Sequence, residues 1–355
     1  MISIKIPDTV IQQFAKTLGD DVTKRVRNML KEHKAEKIRL TRCELQFYKE
    51  IETDAASFLA MAPSAIERKF RKMNAAVPSY VVLASGSLPT IARHIEPAKR
   101  RHYQRLWNKH KYGGKKAGCN CLFCEVSSRA DRIFNWPAFL KKDQKSIPPD
   151  SMAGKFVKSV GLTICPYCSR NHIAPLTEAT GTVYSPDLDH FFAQSIYPYF
   201  RLCLQNLVPS CSACNCRIKG ATDFLRNGYL HPYEHDAPEQ LFVLEGTGVK
   251  NGQRIDPANT VLRLQTGISA RAKKSAEFFH LPLAYESHLV QACQFADSLR
   301  FIPTSALEER ARILQVDTSY LMLILNRPAD PMDDSYKHRV LGRLMRDMQS
   351  MFQKP

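Results

Sequence analysis

LDHFFAQSIYP, residues 188–198, sets an acidic residue directly before a histidine, then two phenylalanines, then a Tyr-Pro step. Alone, Asp189-His190 reads equally well as a reactive pair or as the polar end of a strand. The flanks decide between them. Upstream stands Cys165-Pro-Tyr-Cys168 and downstream Cys211-Ser-Ala-Cys214. Two CxxC knuckles about 45 residues apart are the pattern of a tetrahedral four-thiolate zinc site. A thioredoxin-like redox pair is disfavoured because neither CxxC follows a strand that opens a βαβ unit. A closed four-thiolate shell does no chemistry. It staples a small, loop-rich module, and any reactive groups lie between and beside its ligands.

The composition bounds what such a module can belong to. The chain has 355 residues, 44% of them hydrophobic, enough for one large domain or two to three modest ones. No apolar run approaches the roughly 20 residues of a membrane helix. The opening MISIKIPDTV lacks the basic-then-apolar layout of a secretion signal. The expectation is a soluble cytoplasmic protein with no membrane partner, whose 11 cysteines are metal ligands or thiols rather than disulfides. Net charge is +17, and residues 1–116 alone hold 24 Lys and Arg against 11 Asp and Glu, a local excess of +13. Such an excess points to a polyanion, with nucleic acid the usual one. A solvated helical surface with no partner is the competing reading.

Periodicity divides the chain into a basic helical region (1–116), a linker with a cysteine cluster (117–154), the knuckle-bearing module (155–235) and a C-terminal region, mixed then helical (236–355). Val10, Phe14, Leu18 and Val22 recur at helix spacing, as do Ile51, Phe58, Leu59 and Ala62. Asp8 is a candidate helix cap and Pro63 a helix start. Leu241–Leu244 and Val261–Leu264 read as strands, and helix returns after residue 268. The fold class is α+β, mostly helical.

From one knuckle to the other the order is Cys-x2-Cys, Asp189-His190, Asn206, Cys-x2-Cys, Asn215, then Lys219. This resembles the HNH, or ββα-metal, endonucleases in their zinc-stapled form, over about a fifth of the chain, residues 160–235. Asn215 stands where other members carry His. The resemblance implies a central zinc-stapled ββα-metal module: a strand, a second strand ending at His190, a loop running through Phe200 and Asn206–Pro209, and a helix from Ser212 to Lys219. It implies that Asp189 and Asn215 hold one Mg²⁺ or Mn²⁺, that His190 is the general base, and that Asn206 pins the loop. Cleavage would leave a 5′-phosphate and a 3′-hydroxyl, with DNA favoured over RNA. The nearest likeness is to HNH proteins of bacterial anti-phage systems, Septu-type and retron-linked, which work beside a separate ATPase. This chain has no GxxxxGK[ST] loop of its own.

The residue types suit that chemistry. Phosphodiester hydrolysis needs an activated water and a counter-charge for the transition state. An imidazole of pKa about 6.5 is a fitting base, and carboxylate and amide oxygens suit a hard divalent ion. Neighbours on a strand point to opposite sides, so Asp189 and His190 can diverge, one to a metal and one to a water. Each has a plainer alternative: a turn acceptor for Asp189, a packed ring for His190, a helix cap for Asn215. Lys219 either meets a substrate phosphate or complements a helix end, and Arg170 is a second phosphate candidate. As a whole, the alternative is a zinc-stapled nucleic-acid-binding protein without hydrolysis.

Other features stand apart. Cys119, Cys121 and Cys124 suggest a second zinc site, with His102, His110, Cys203 or Cys216 as a fourth ligand, or else three loop thiols. Lys99–Arg105, with Tyr103 and Trp107, suits a phosphate backbone or a solvated helix. His231-Pro-Tyr233 reads as packing that closes the module. Trp136 reads as core, and Cys43 and Cys293 as buried thiols.

Overall fold

The computed structural model describes residues 3–76, 122–140, 147–234, 240–325 and 334–352, apart from positions 39, 41, 179, 180, 195, 196 and 303. The Lys99–Arg105 tract, Trp107, His102, His110, Cys119 and Cys121 lie outside them, as do the side chains of Cys43 and Cys124. Two compact units emerge, one of Met1–Ser3, Leu162–Ala174 and His235–Pro355, the other of Ile4–Gly161 and Pro175–Glu234. The described residues are mostly helical, and their strands form three two-stranded antiparallel pairs, none closed into a barrel.

The second unit opens on α1 (Asp8–Lys34), followed by α2 (Arg42–Thr53), α3 (Ala55–Leu59) and α4 (Pro63–Ala76). Along α1 the buried positions are Ile11, Ala15, Leu18, Val22, Val26 and Met29, one stripe at helical spacing. Val10 and Phe14 flank that stripe, half-buried. Gly19 lies within it because α3 crosses there. A Cβ at Gly19 would sit 3.0 Å from the Ala56 backbone nitrogen. Pro7, not Asp8, stands at the cap position and makes no side-chain cap bond; Asp8 adds its charge to the first turn. Pro63 begins α4, where its missing N–H is no loss. Phe47 of α2 packs edge-on against Phe58 and Tyr199 at 5.7 and 5.1 Å between ring centroids. Beside them Arg129 of α5 (Leu122–Ile133) grips the fully buried Glu44 in a two-pronged ion pair of 2.8 and 3.0 Å. α6 (Trp136–Leu140) and α7 (Met152–Val160) follow, the latter capped by Ser151, whose Oγ accepts from the Gly154 N–H.

The strands depart from the expected module. β1 (Leu176–Glu178) pairs with β2 (Gly181–Tyr184), while β3 (Asp187–His190) pairs with β4 (Leu207–Ser210), Asp189 opposite Val208 and His190 opposite Leu207. The segment expected as loop at Pro209 is thus the second strand of the pair. Proline is tolerated because a two-stranded ribbon has an outward edge on which no N–H is needed.

In the first unit, β5 (Phe242–Gly246) and β6 (Thr260–Leu264) form a hairpin close to the sequence expectation. Helices α9 to α14 (Ala270–Phe278, Leu281–Glu286, Leu289–Phe301, Thr304–Leu314, Thr318–Ile324 and Gly342–Phe352) follow, α8 (Phe224–Asn227) belonging to the other unit. Asp347, fully buried on α14, accepts from the N–H groups of Leu241 and Phe242 and from Arg343 Nε. One carboxylate thereby ties the start of β5 to the last helix. Cys293 is buried on α11, and burial pushes its thiol up to about 11. No described helix is long and apolar enough to cross a membrane.

Candidate zinc centre and the polar residues beside it

The first knuckle is a tight backbone turn. Ser169 N–H donates to the Cys165 carbonyl at 2.8 Å, Cys165 N–H to Asn171 at 2.9 Å, and Ser169 adopts φ +54° to complete the reversal. It is held from outside by Tyr285, whose hydroxyl donates to the Cys168 carbonyl, and by the Leu341 N–H, which donates to the Ser169 carbonyl. The second knuckle opens the Ala213–Lys219 helix, a widened coil in which the Gly220 N–H reaches back five residues to Asn215. Gly220 ends it at φ +50° with open space around the missing Cβ.

The ligand atoms of Cys165, Cys168, Cys211 and Cys214 lie within 4.8 Å of one another, and all four residues are buried. Zinc–sulfur bonds of about 2.3 Å in a tetrahedron need sulfurs this close together. Among the described residues this is the one such group of His, Cys, Asp and Glu side chains. The donor set, four soft thiols in a buried pocket, fits zinc and would hold it without an open position for substrate.

Beside it, β3 and the widened helix face each other through polar side chains. Lys219, 1% exposed, donates its ammonium to Asp189 Oδ1 at 2.9 Å and to the His190 carbonyl at 2.7 Å. Asp189 is itself 2% exposed, so the two form a buried ion pair. Four residues before Lys219, Asn215 Nδ2 donates to Asp187 Oδ2 at 3.1 Å, and the Cys216 thiol donates to the same oxygen. Lys219 is therefore turned inward, away from any surface phosphate. Asp187 and Asp189 share one face of the strand, and the helix meets them in turn, Asn215 facing Asp187 and Lys219 facing Asp189.

His190 points the other way, as its neighbour's orientation requires. Its Nε2 lies 3.0 Å from the Arg201 carbonyl, which fixes Nε2 as the protonated nitrogen and leaves Nδ1 as acceptor. The edge of Trp136 packs on the ring at 4.4 Å between centroids. Burial holds its pKa down to about 3, with the charges of Arg201 and Lys219 adding to the effect and the Arg201 hydrogen bond opposing it. The imidazole is thus neutral at ordinary pH, but a far weaker base than the free side chain.

Asn206 is a clamp. Its Oδ1 accepts from the Phe192 N–H at 2.7 Å, and its Nδ2 donates to the carbonyls of Phe192 and Phe200 at 3.2 and 3.0 Å. It is fully buried and ties the chain after β3 to the chain before β4. His231 packs at a tilt against Phe191, 4.0 Å between ring centroids, and Tyr233 donates its hydroxyl to the Leu207 carbonyl, which makes this segment a packing element.

Arg170 is half-buried, and its charge adds to burial in lowering the pKa of nearby His288. Cys203 donates to the Phe58 carbonyl from a buried position, and Cys216 is engaged with Asp187, so both of these candidate fourth ligands have protein partners. The sequence singles out neither Asp187 nor Arg201, and it reads Trp136 only as core. Asp187 carries a signal, its position two residues before Asp189 on a strand; the Arg201 carbonyl and the distant Trp136 carry none.

No family model matches the chain, and neither the curated proteins nor the solved structures searched contain a match.

Proposed function

We propose that this chain is a zinc-stapled nucleic-acid-binding protein. The observation that carries the zinc half is the buried four-cysteine cluster with its closed, all-thiol donor set. The nucleic-acid half is supported by the +17 net charge and its concentration in residues 1–116. On this reading Asp189, Lys219, Asn215 and Asp187 are the polar bolts between β3 and the widened helix, and Asn206 locks the intervening loop.

Hydrolysis in the manner of the HNH endonucleases is the second reading, and two observations favour it. The antiparallel pair β3–β4 runs directly into the helix bearing the second knuckle, with Asn206 clamping the loop. The Nε2–H tautomer of His190 leaves Nδ1 as the nitrogen able to take a proton from a water. Against it stands the donor set for Mg²⁺ or Mn²⁺. Lys219 already holds Asp189 Oδ1, and Asn215 directs its amide nitrogen to Asp187. The resemblance also brings an anti-phage setting and a separate ATPase, a pairing that co-purification from the native host would test.

One experiment separates the readings. Zinc-loaded protein is incubated with plasmid, single-stranded DNA and tRNA, with Mg²⁺, Mn²⁺ or EDTA, and scored for both retention and cleavage. Binding that survives EDTA with intact substrate is expected. Divalent-dependent cleavage that is lost in a folded His190→Ala variant would instead establish the nuclease. Absence of binding to all three substrates would sink the first reading.

A further inference from the structure

Where the second half of α1 lies along α2, the two helices enclose a cleft of about 380 Å³ lined by Arg27, Leu30, Lys31, Lys34, Lys49 and Glu52, with the His33 and Leu45 side chains completing it. That size falls within the roughly 300–1,000 Å³ usual for ligand-binding clefts. Four basic side chains line it against a single carboxylate, and that carboxylate, Glu52, is paired with Arg27 at 3.5 Å. Among the described residues no ion pair engages Lys31, Lys34 or Lys49, and all three are exposed. The floor is apolar: Leu30 is buried, and at the turn leaving α1 the His33 Nδ1 lies 3.2 Å from the Ile38 carbonyl.

We propose that this cleft is a docking site for the phosphodiester backbone of nucleic acid; it rests on the nucleic-acid reading above and gives that reading a place. Arg27, Lys31 and Lys34 follow one another at i, i+4 and i+7, so they form a single ridge of α1. At 1.5 Å rise per residue the ridge is about 10 Å long, the axial length over which one strand carries about three phosphates. Lys49 brings a fourth charge from across the cleft. Ammonium groups on flexible stems meet phosphates as point charges and read no base edges, so the contact is sequence-independent and sensitive to salt.

The test is a charge reversal with a matched control. Lys31→Glu/Lys34→Glu/Lys49→Glu alters the cleft. Lys16→Glu/Lys155→Glu/Lys158→Glu makes the same change in net charge on exposed lysines that do not line it. Both are compared with the parent protein by fluorescence anisotropy on labelled oligonucleotides of about 20 nucleotides, single-stranded and duplex, across a salt series. The cleft variant is expected to lose at least about tenfold in affinity, and its slope of log affinity against log salt to flatten by about 2–3, one increment per lost phosphate contact. The control should keep the parent's slope. Melting curves accompany each, and Lys→Gln at the same three cleft positions replaces the reversal if that variant unfolds. Equal losses in cleft and control variants, or no loss in either, would overturn the cleft while leaving the nucleic-acid reading in place. A parent protein that binds neither oligonucleotide overturns both.

Discussion

Lys219 puts a full positive charge where almost no water reaches, and Asp189, the His190 carbonyl and the face of Phe224 answer it. Breaking such a pair by removing one partner leaves an uncompensated buried charge, typically worth 3–5 kcal/mol. Lys219→Met is therefore expected to destabilise the protein by about that much in urea denaturation. The double variant Lys219→Met/Asp189→Leu should recover a large part of it, because the orphaned carboxylate is gone. A Lys219→Met protein as stable as the parent would mean that the ammonium is solvated in solution. His190 makes the companion prediction through pH. Its folded pKa, about 3, lies below the ordinary value, so the unfolded chain takes up a proton first as pH falls. The stability it contributes is complete above about pH 6.5 and is lost progressively from there towards pH 3, by at most about 1.4 kcal/mol per pH unit. His190→Gln should flatten that part of the curve. Identical curves for the two proteins would show that the ring is not held neutral.

At the level of elements, Gly19 sets the separation of α1 and α3. A larger side chain has the Ala56 backbone in its path, and backbone cannot swing aside as a side-chain tip can. Gly19→Leu is expected to cost about 1–3 kcal/mol, the usual penalty for overpacking, whereas Gly19→Ala should cost less. A Leu variant with an unchanged melting midpoint would show that the crossing adjusts freely. The hairpin β5–β6 and the stripe along α1 were legible in the sequence, because alternation and 3.6-residue spacing are written directly in residue type. The pairing of β3 with β4 was not. A strand holding Pro209 reads as loop, and only its position on the edge of a two-stranded ribbon admits it. The inward turn of Lys219 was equally hidden, since a lysine near a helix end ordinarily faces water. The knuckles and the divergence of Asp189 from His190 were readable from spacing and strand alternation, whereas the role of Asn206 was implied by the family resemblance alone. The pairing of Asn215 with Asp187 depends on how the widened helix sits over the strand, which no local pattern encodes.

For the molecule as a whole, the four-cysteine cluster predicts metal content. Purified protein should carry at least about one zinc per chain by elemental analysis. Cys168→Ser or Cys211→Ser should lower zinc retention and the melting temperature together, since the thiolates stabilise the fold only through the ion. A folded, cooperative protein free of zinc would refute the assignment.

The edge-on packing of Trp136 against His190 gives the protein a built-in optical reporter. The chain has only two tryptophans, and an imidazolium this close to an indole quenches its emission where a neutral imidazole does so weakly. A Trp107→Phe protein would therefore emit from a single indole. Its brightness followed through an acid titration would register the proton arriving on one buried ring, without substrate, metal or label. The quench should appear only well below pH 6.5, and a His190→Gln background should erase it.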